Sequence, residues 1–149
     1  MTYNGTKGQV GLGTILSIGS GSTPAVVGEV KSLKLNGRKW DTDDATNMQS
    51  LAKEFVSTIQ DPGEWDIDFT RVPSDVGQTA LEAAFASGAI TAFTIQLPVN
   101  IKAGQSTTGD KFSFNALVTE VPYTFETTKI DAGSCKLKMS GPMTVTLGS

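Results

Sequence analysis

GEWDIDFTRVPSDVGQTALEAAFASGAITAFTIQLP, residues 63–98, reads as strand, helix, strand. Trp65, Ile67 and Phe69 alternate with Asp66, Asp68 and Thr70, the period-two signature of a strand that packs one face and wets the other. Asp75 stands where an N-cap belongs, Gln78 three places on where its capping partner belongs, and Gly88 where a left-handed stop belongs. Between these signals Val76, Ala80, Leu81, Ala84 and Phe85 fall on one side, so the helix has an apolar stripe to lay on a sheet. In the returning strand Phe93, Ile95 and Leu97 share a face, Thr94 and Gln96 take the other, and Pro98 ends the pairing. The unit is a short helix lying on a mostly antiparallel sheet.

The 149 residues are most simply one domain, long enough to bury a core without disulfide or metal staples. Plentiful Thr, Ser and Gly, with Val, Ile and Phe at short spacing, favour a strand-rich soluble fold. The net charge is −3 and no Lys or Arg cluster interrupts it, so nothing drives free-standing affinity for a polyanion. The single Cys135 cannot close an internal disulfide and reads as a small buried apolar group rather than a nucleophile. The chain has no His, which removes the usual general base and the commonest metal ligand. Its opening MTYNGTKG lacks the basic start and apolar run of a signal peptide, and no stretch is long enough to span a bilayer. Cytoplasmic synthesis is the expectation.

Outward from the central unit, residues 1–9 are expected to form a mobile arm. A first strand is read over 12–18, with Leu12, Thr14, Leu16 and Ile18 on one face, followed by a turn at GSGSTP, residues 19–24. Residues 26–35 look like a strand with an irregularity near Gly28, and Asn36-Gly37 is the strongest short turn signal. WDTDDATNMQSLAK, residues 40–53, reads as a long loop; residues 54–59 return to the sheet and Asp61, Pro62 and Gly63 turn into the central strand. VNIKAGQSTTGD, residues 99–110, is a second long loop with the composition of a projecting tip. Phe112, Phe114, Ala116 and Val118 then share a strand face. A final hairpin sets Cys135, Leu137 and Met139 against Lys136 and Lys138, turns at Ser140, Gly141 and Pro142, and returns through Met143, Val145 and Leu147. The count is about eight strands and one helix.

Motifs of chemistry fail on inspection. Ser50 and Lys53 satisfy S-x-x-K, but the companion motifs of a penicillin-recognising site are missing. Asp41, Asp43 and Asp44 begin like a calcium loop, but Ala45, Thr46 and Ala52 occupy the places of a ligand, the obligatory Gly and the bidentate Glu. Asp66 and Asp68 lie about 7 Å apart on one strand face, a spacing that suits paired carboxylates. With no substrate-binding aromatic on that face, a wet acidic surface is the simpler reading. No cofactor and no catalytic group is expected.

DPGEWDIDFT from Asp61, the helix ending LEAAFASG, the strand reaching Leu97-Pro98, FSFNALVTEVP from Phe112 and KLKMSGP from Lys136 together resemble the major tail tube proteins of long-tailed, siphovirus-like bacteriophages. Their order and spacing carry the resemblance over roughly residues 26–146, with Ala116 a departure where the family often has Gly or a bulkier residue. The chain also closes at Ser149 without the immunoglobulin-like domain that some members append. What the resemblance implies is a mainly β, sandwich- or barrel-like protomer with one short helix, assembled into hexameric rings that stack into a tube. It further implies a virion tail location, no enzymatic activity, and no membrane. The implied partners are copies of itself, a tape measure protein, tail terminator and distal tail proteins, and DNA in transit without specific binding.

On that reading Glu64, Asp66, Asp68, Glu120 and Glu126 are candidates to line the lumen, where acidic groups let phosphate slide. Trp40, Asp43, Asp44 and Met48 on one loop, and Lys102, Gln105 and Asp110 on the other, are candidates for contact between rings. Ala80, Leu81, Ala84 and Phe85 hold the helix on the sheet. Two alternatives stand beside it: the tube protein of a contractile tail or injection machine, and an extracellular β-sandwich adhesion or carbohydrate-binding module.

Overall fold

The computed structural model describes residues 6–19 and 23–149. The first five residues of the expected arm and the middle of the 19–24 turn lie outside the described residues. In chain order the elements are β1 Ile15–Ile18, β2 Ala25–Val26, β3 Val30–Asn36, β4 Lys39–Asp44, β5 Phe55–Asp61, β6 Glu64–Thr70, α1 Val76–Ser87, β7 Thr91–Gln96, β8 Lys111–Glu120, β9 Tyr123–Thr124, β10 Ala132–Met139 and β11 Thr144–Thr146. The protein is mainly β, as expected, with one α-helix among the described residues.

One antiparallel sheet runs β2-β1-β7-β8-β10-β6-β3, with β9 added to β10 and β11 to β8. Its edge strands β2 and β3 are consecutive in sequence, joined only by residues 27–29. In that link Val27 N–H donates to the Leu16 carbonyl on β1, and the Glu29 carbonyl accepts from Thr70 N–H on β6. Because the link bonds to strands at both ends of the order, the sheet curls into a barrel-like wall. Inside it lie Trp65, Ile67 and Phe69 of β6, Phe93 and Ile95 of β7, Phe114, Ala116 and Val118 of β8, and Cys135, Leu137 and Met139 of β10, all buried. Phe114 stacks between Trp65 and Phe93, with ring centroids 5.6 and 5.7 Å away. Each large side chain so buried contributes about 1.5–3 kcal/mol.

The helix starts and stops where the sequence places it. Asp75 caps it by accepting from Gln78 N–H at 3.0 Å, and Gly88 ends it at φ 67°. Its buried face is Gly77, Gln78, Leu81 and Ala84, with Ala80 packed at the margin. Val76 and Phe85 are instead 71% and 45% exposed, so the expected stripe is rotated. The reason is a close approach of backbones: a Cβ on Gly77 would stand 2.2 Å from the Val26 carbonyl oxygen, which fixes that side of α1 against the β2–β3 link.

Four expectations need correction. The first strand is confined to residues 15–18, and Leu12 is exposed because residues 11–13 form a turn. Residues 40–44 are not loop: β4 pairs with β5 in a separate two-stranded sheet, and β5 does not rejoin the large sheet. Exposure on all of β4 and nearly all of β5 erased the alternation that marks a strand. The 99–110 loop is a loop, but a folded one: Ile101–Ala103 make a 3-10 turn, and the Ser149 carbonyl accepts from the N–H groups of Ser106, Thr107 and Thr108. The last hairpin is not a hairpin either, since β11 pairs with β8 at Thr144↔Ser113 and so continues the line of β10, which pairs with β8 at Met139↔Ala116. The Ser140, Gly141 and Pro142 stretch is therefore an interruption in one long strand position.

Candidate functional site

The outward face of β6 and its neighbours carries the first cluster of candidates. Cross-strand register sets Asp66 between Lys34 and Lys136, Glu64 between Asn36 and Lys138, and Asp68 between Ser32 and Ser134, while Glu120 stands opposite Lys136. Asn36 Nδ2 donates to Asp66 at 2.8 Å and Ser32 Oγ to Asp68 at 3.1 Å. Four carboxylates thus share a face with Lys34, Lys136 and Lys138, making it nearly balanced rather than strongly acidic. The sequence reading set Lys136 and Lys138 on one strand face but did not bring them or Lys34 beside β6, because β3 and β10 are distant in sequence and only register does so. Glu126 is apart from the group, on the segment after β9, where Lys129 Nζ reaches it at 3.5 Å.

The second cluster is the β4–β5 ribbon. β3 and β4 are pieces of one long arm and β5 and β6 of the other, paired at Asn36↔Glu64 inside the sheet and Lys39↔Asp61 beyond it. At the crossing, Gly37 and Gly63 face one another with φ of 77° and 98°, and a Cβ on Gly63 would meet the Asn36 carbonyl oxygen at 2.4 Å. Only glycine accommodates that conformation and that approach, and the ribbon leaves the sheet there. Trp40, Phe55, Val56 and Ile59 are more than half exposed along it, and Met48 and Leu51 are fully exposed at its tip. Asp43 and Asp44 follow one another on β4; Asp44 accepts from Thr46 N–H at 2.8 Å, and hydrogen bonding from Thr46 holds its carboxyl below the usual range.

The third cluster divides. Lys102 is exposed on the 3-10 turn. Gln105 and Asp110 are instead internal braces: Gln105 Nε2 donates to Asp110 at 2.8 Å, its Oε1 accepts from Asn100 N–H, and Asp110 also accepts from Gly148 N–H. The arm runs alongside, with Asn100 Nδ2 donating to the Lys7 carbonyl at 2.9 Å.

Gln78, which sequence reasoning assigned to the cap, proves to be a buried hub. Its side chain accepts from Val72 N–H and donates to the carbonyls of Gly28 and Thr70. Cys135 is buried, and that burial, with the charges of Asp68 and Asp66, pushes its thiol up to about 12, away from nucleophilic use. Tyr123 bonds Glu82 of α1, and Arg71 lies 5.6 Å over its ring. Among the described residues no three His, Cys, Asp or Glu side chains converge, and no helix is long and apolar enough to cross a membrane.

No family model and no curated protein sequence matches the chain. Solved structures do. The tail of an empty gene transfer agent (GTA) particle with C6 symmetry superposes with a TM-score of 0.72 at 12% identity, over 93% of this chain and 99% of that one. The SPP1 tail tube superposes with a TM-score of 0.69 at 12% identity, over 91% of this chain and 77% of that one. A PVC sheath-tube complex of an extracellular contractile injection system, in its extended state, gives 0.64 at 14% identity, over 90% and 88%. At these identities the likeness is one of fold.

Proposed function

We propose that this chain is the wall subunit of a hollow phage-type tail tube, built from stacked hexameric rings, that conducts a genome and performs no reaction. The observation that carries the reading is the β4–β5 ribbon. A two-stranded sheet is marginal alone, and this one presents Trp40, Phe55 and Ile59 to solvent, so a neighbouring copy is what covers it. Fold likeness to a tail with C6 symmetry and to a tail tube supports the same conclusion. A contact between unlike surfaces of identical subunits closes a ring or propagates a stack, and a tube needs both.

Within that reading the β6 face, with Glu64, Asp66, Asp68 and Glu120, lines the lumen. Its near balance of charge gives DNA no basic track to grip, and its carboxylates keep phosphate from settling. Glu126 lies outside this lining. Trp40, Asp43, Asp44 and Met48 on the ribbon and Lys102 on the second loop serve contacts between rings, whereas Gln105 and Asp110 shape that loop from within. A tape measure protein occupies the bore during assembly, tail terminator and distal tail proteins bound its ends, and the finished product resides in the virion tail.

Negative-stain microscopy of the purified chain at rising concentration tests this. Six-fold rings or tubes are expected; a monomer at every concentration would sink the proposal. Likeness to the sheath-tube complex favours one second reading, the tube of a contractile machine. Its mark would be a sheath protein that co-sediments with the assembled tubes.

A further inference from the structure

A cleft of about 630 Å³ opens at the barrel mouth. Residues 11–14 before β1 and residues 30–33 of β3 form two sides, and Trp65, Ile95, Leu97 and Phe112 complete it. Two members of this lining hold buried polar atoms that nothing among the described residues satisfies, Thr14 Oγ1 and Trp65 Nε1. Both atoms are enclosed, so the cleft meets an incoming group chiefly with the carbon of Leu33, Ile95, Leu97 and Phe112.

The ribbon tip is organised from within. Its N–H groups are consumed locally: Thr46 N–H by Asp44, Asn47 N–H by Ser50 Oγ, Gln49 N–H by Asn47 Oδ1 and Ser50 N–H by the Asn47 carbonyl. Ser50 Oγ also bonds Glu54, tying the two sides of the loop together. Among the described residues nothing donates to the carbonyls of residues 48–52, and Met48 and Leu51 project fully exposed beside them. A stiffened knob of two apolar side chains and open carbonyls sits on one part of the molecule. A largely apolar cleft sits on another.

We propose that the 47–52 knob of one copy seats in this cleft of a second copy. Met48 and Leu51 pack against Leu33, Leu97 and Phe112. Charge agrees with the pairing, since Asp44 and Glu54 stand behind the knob and Lys31 stands in the cleft lining. Because knob and cleft are different surfaces, the contact is heterologous and every copy can both give and receive. A knob organised before contact loses little entropy on docking. This inference rests on the tube reading and names the receiving surface for its ribbon.

Full-length protein tests it in two arms. The double variant Met48→Asp, Leu51→Asp alters side chains exposed to solvent, so its circular dichroism and melting temperature should match the parent. Its concentration for half-maximal assembly should rise by about tenfold or more, a loss of about 1.4 kcal/mol per contact. In the second arm a photoreactive benzoylphenylalanine at position 48 is irradiated in assembled material, and labelled peptides from residues 11–14, 30–33 or 95–97 are expected. Assembly of the double variant at the parent's concentration, or labelling confined to other segments, overturns the docking while the tube reading stands. If the parent itself never assembles, both fall.

Discussion

Gln78 shows how much one side chain can hold in place. It bonds the chain before the helix at Val72 and Thr70 and the link between β2 and β3 at Gly28, so it ties α1 to both sides of the barrel seam. Gln78→Leu keeps the volume and removes every partner; with roughly 1–3 kcal/mol for each buried group left unpaired, urea unfolding should register a loss of roughly 3 kcal/mol or more. Cys135 makes a separate prediction. Burial first, then Asp68 and Asp66, raise its folded pKa from 9.0 to about 12. A raised folded pKa means that the contribution to stability is complete below pH 9 and is lost as pH climbs toward 12. The loss is at most about 1.4 kcal/mol per pH unit. Urea midpoints of the parent and of Cys135→Ala should therefore converge between pH 9 and 11, and a constant gap would contradict the assignment. Thiol reagents at pH 8 should modify Cys135 only after unfolding.

At the scale of the element, the sequence was legible wherever one face met the core. β6, β7, β8 and β10 all show inward residues at every second place, and Asp75 and Gly88 mark the helix with groups whose chemistry is local. β4 escaped, and β5 was read into the wrong sheet, because neither face of either strand meets the core within the subunit and their apolar and polar residues follow no period. The β10–β11 interruption was read as a hairpin because Ser140, Gly141 and Pro142 are turn residues in either case; only register along β8 separates the two. The rotated helix stripe was hidden for a similar reason, since a glycine at 77 reveals nothing about what approaches it. The acidic reading of the β6 face failed through pairing, because strands distant in sequence supply its lysines. Two experiments belong here. Hydrogen exchange should find β4 and β5 amides fast in the isolated subunit and slow in assembled material, while β6 and β10 stay slow in both. Gly63→Ala should cost roughly 1–3 kcal/mol by forcing φ 98° and a contact with the Asn36 carbonyl on an alanine. It should also raise the concentration needed for assembly by redirecting the ribbon.

For the whole molecule, the balance of charge on the β6 face is the property most open to test. Asp66→Lys with Asp68→Lys would leave two carboxylates facing five ammonium groups. Assembled tubes of this variant should retain linear DNA in a sedimentation assay at low salt and release it as salt rises. The parent should retain none, and a variant equally inert would place the face on the outer wall. One consequence of the topology reaches back to synthesis. β10 lies between β8 and β6 in the middle of the sheet, yet the ribosome makes it after every other long strand. Until residue 139 has emerged, the nascent chain holds two half-sheets with raw inner borders, joined only at their outer edges through residues 27–29. Most of its contacts are distant in sequence, so the sheet closes late, in one step that waits for β10. A nascent chain stalled short of residue 132 would expose those borders rather than form a shortened domain, and borders of that kind are what chaperones cover.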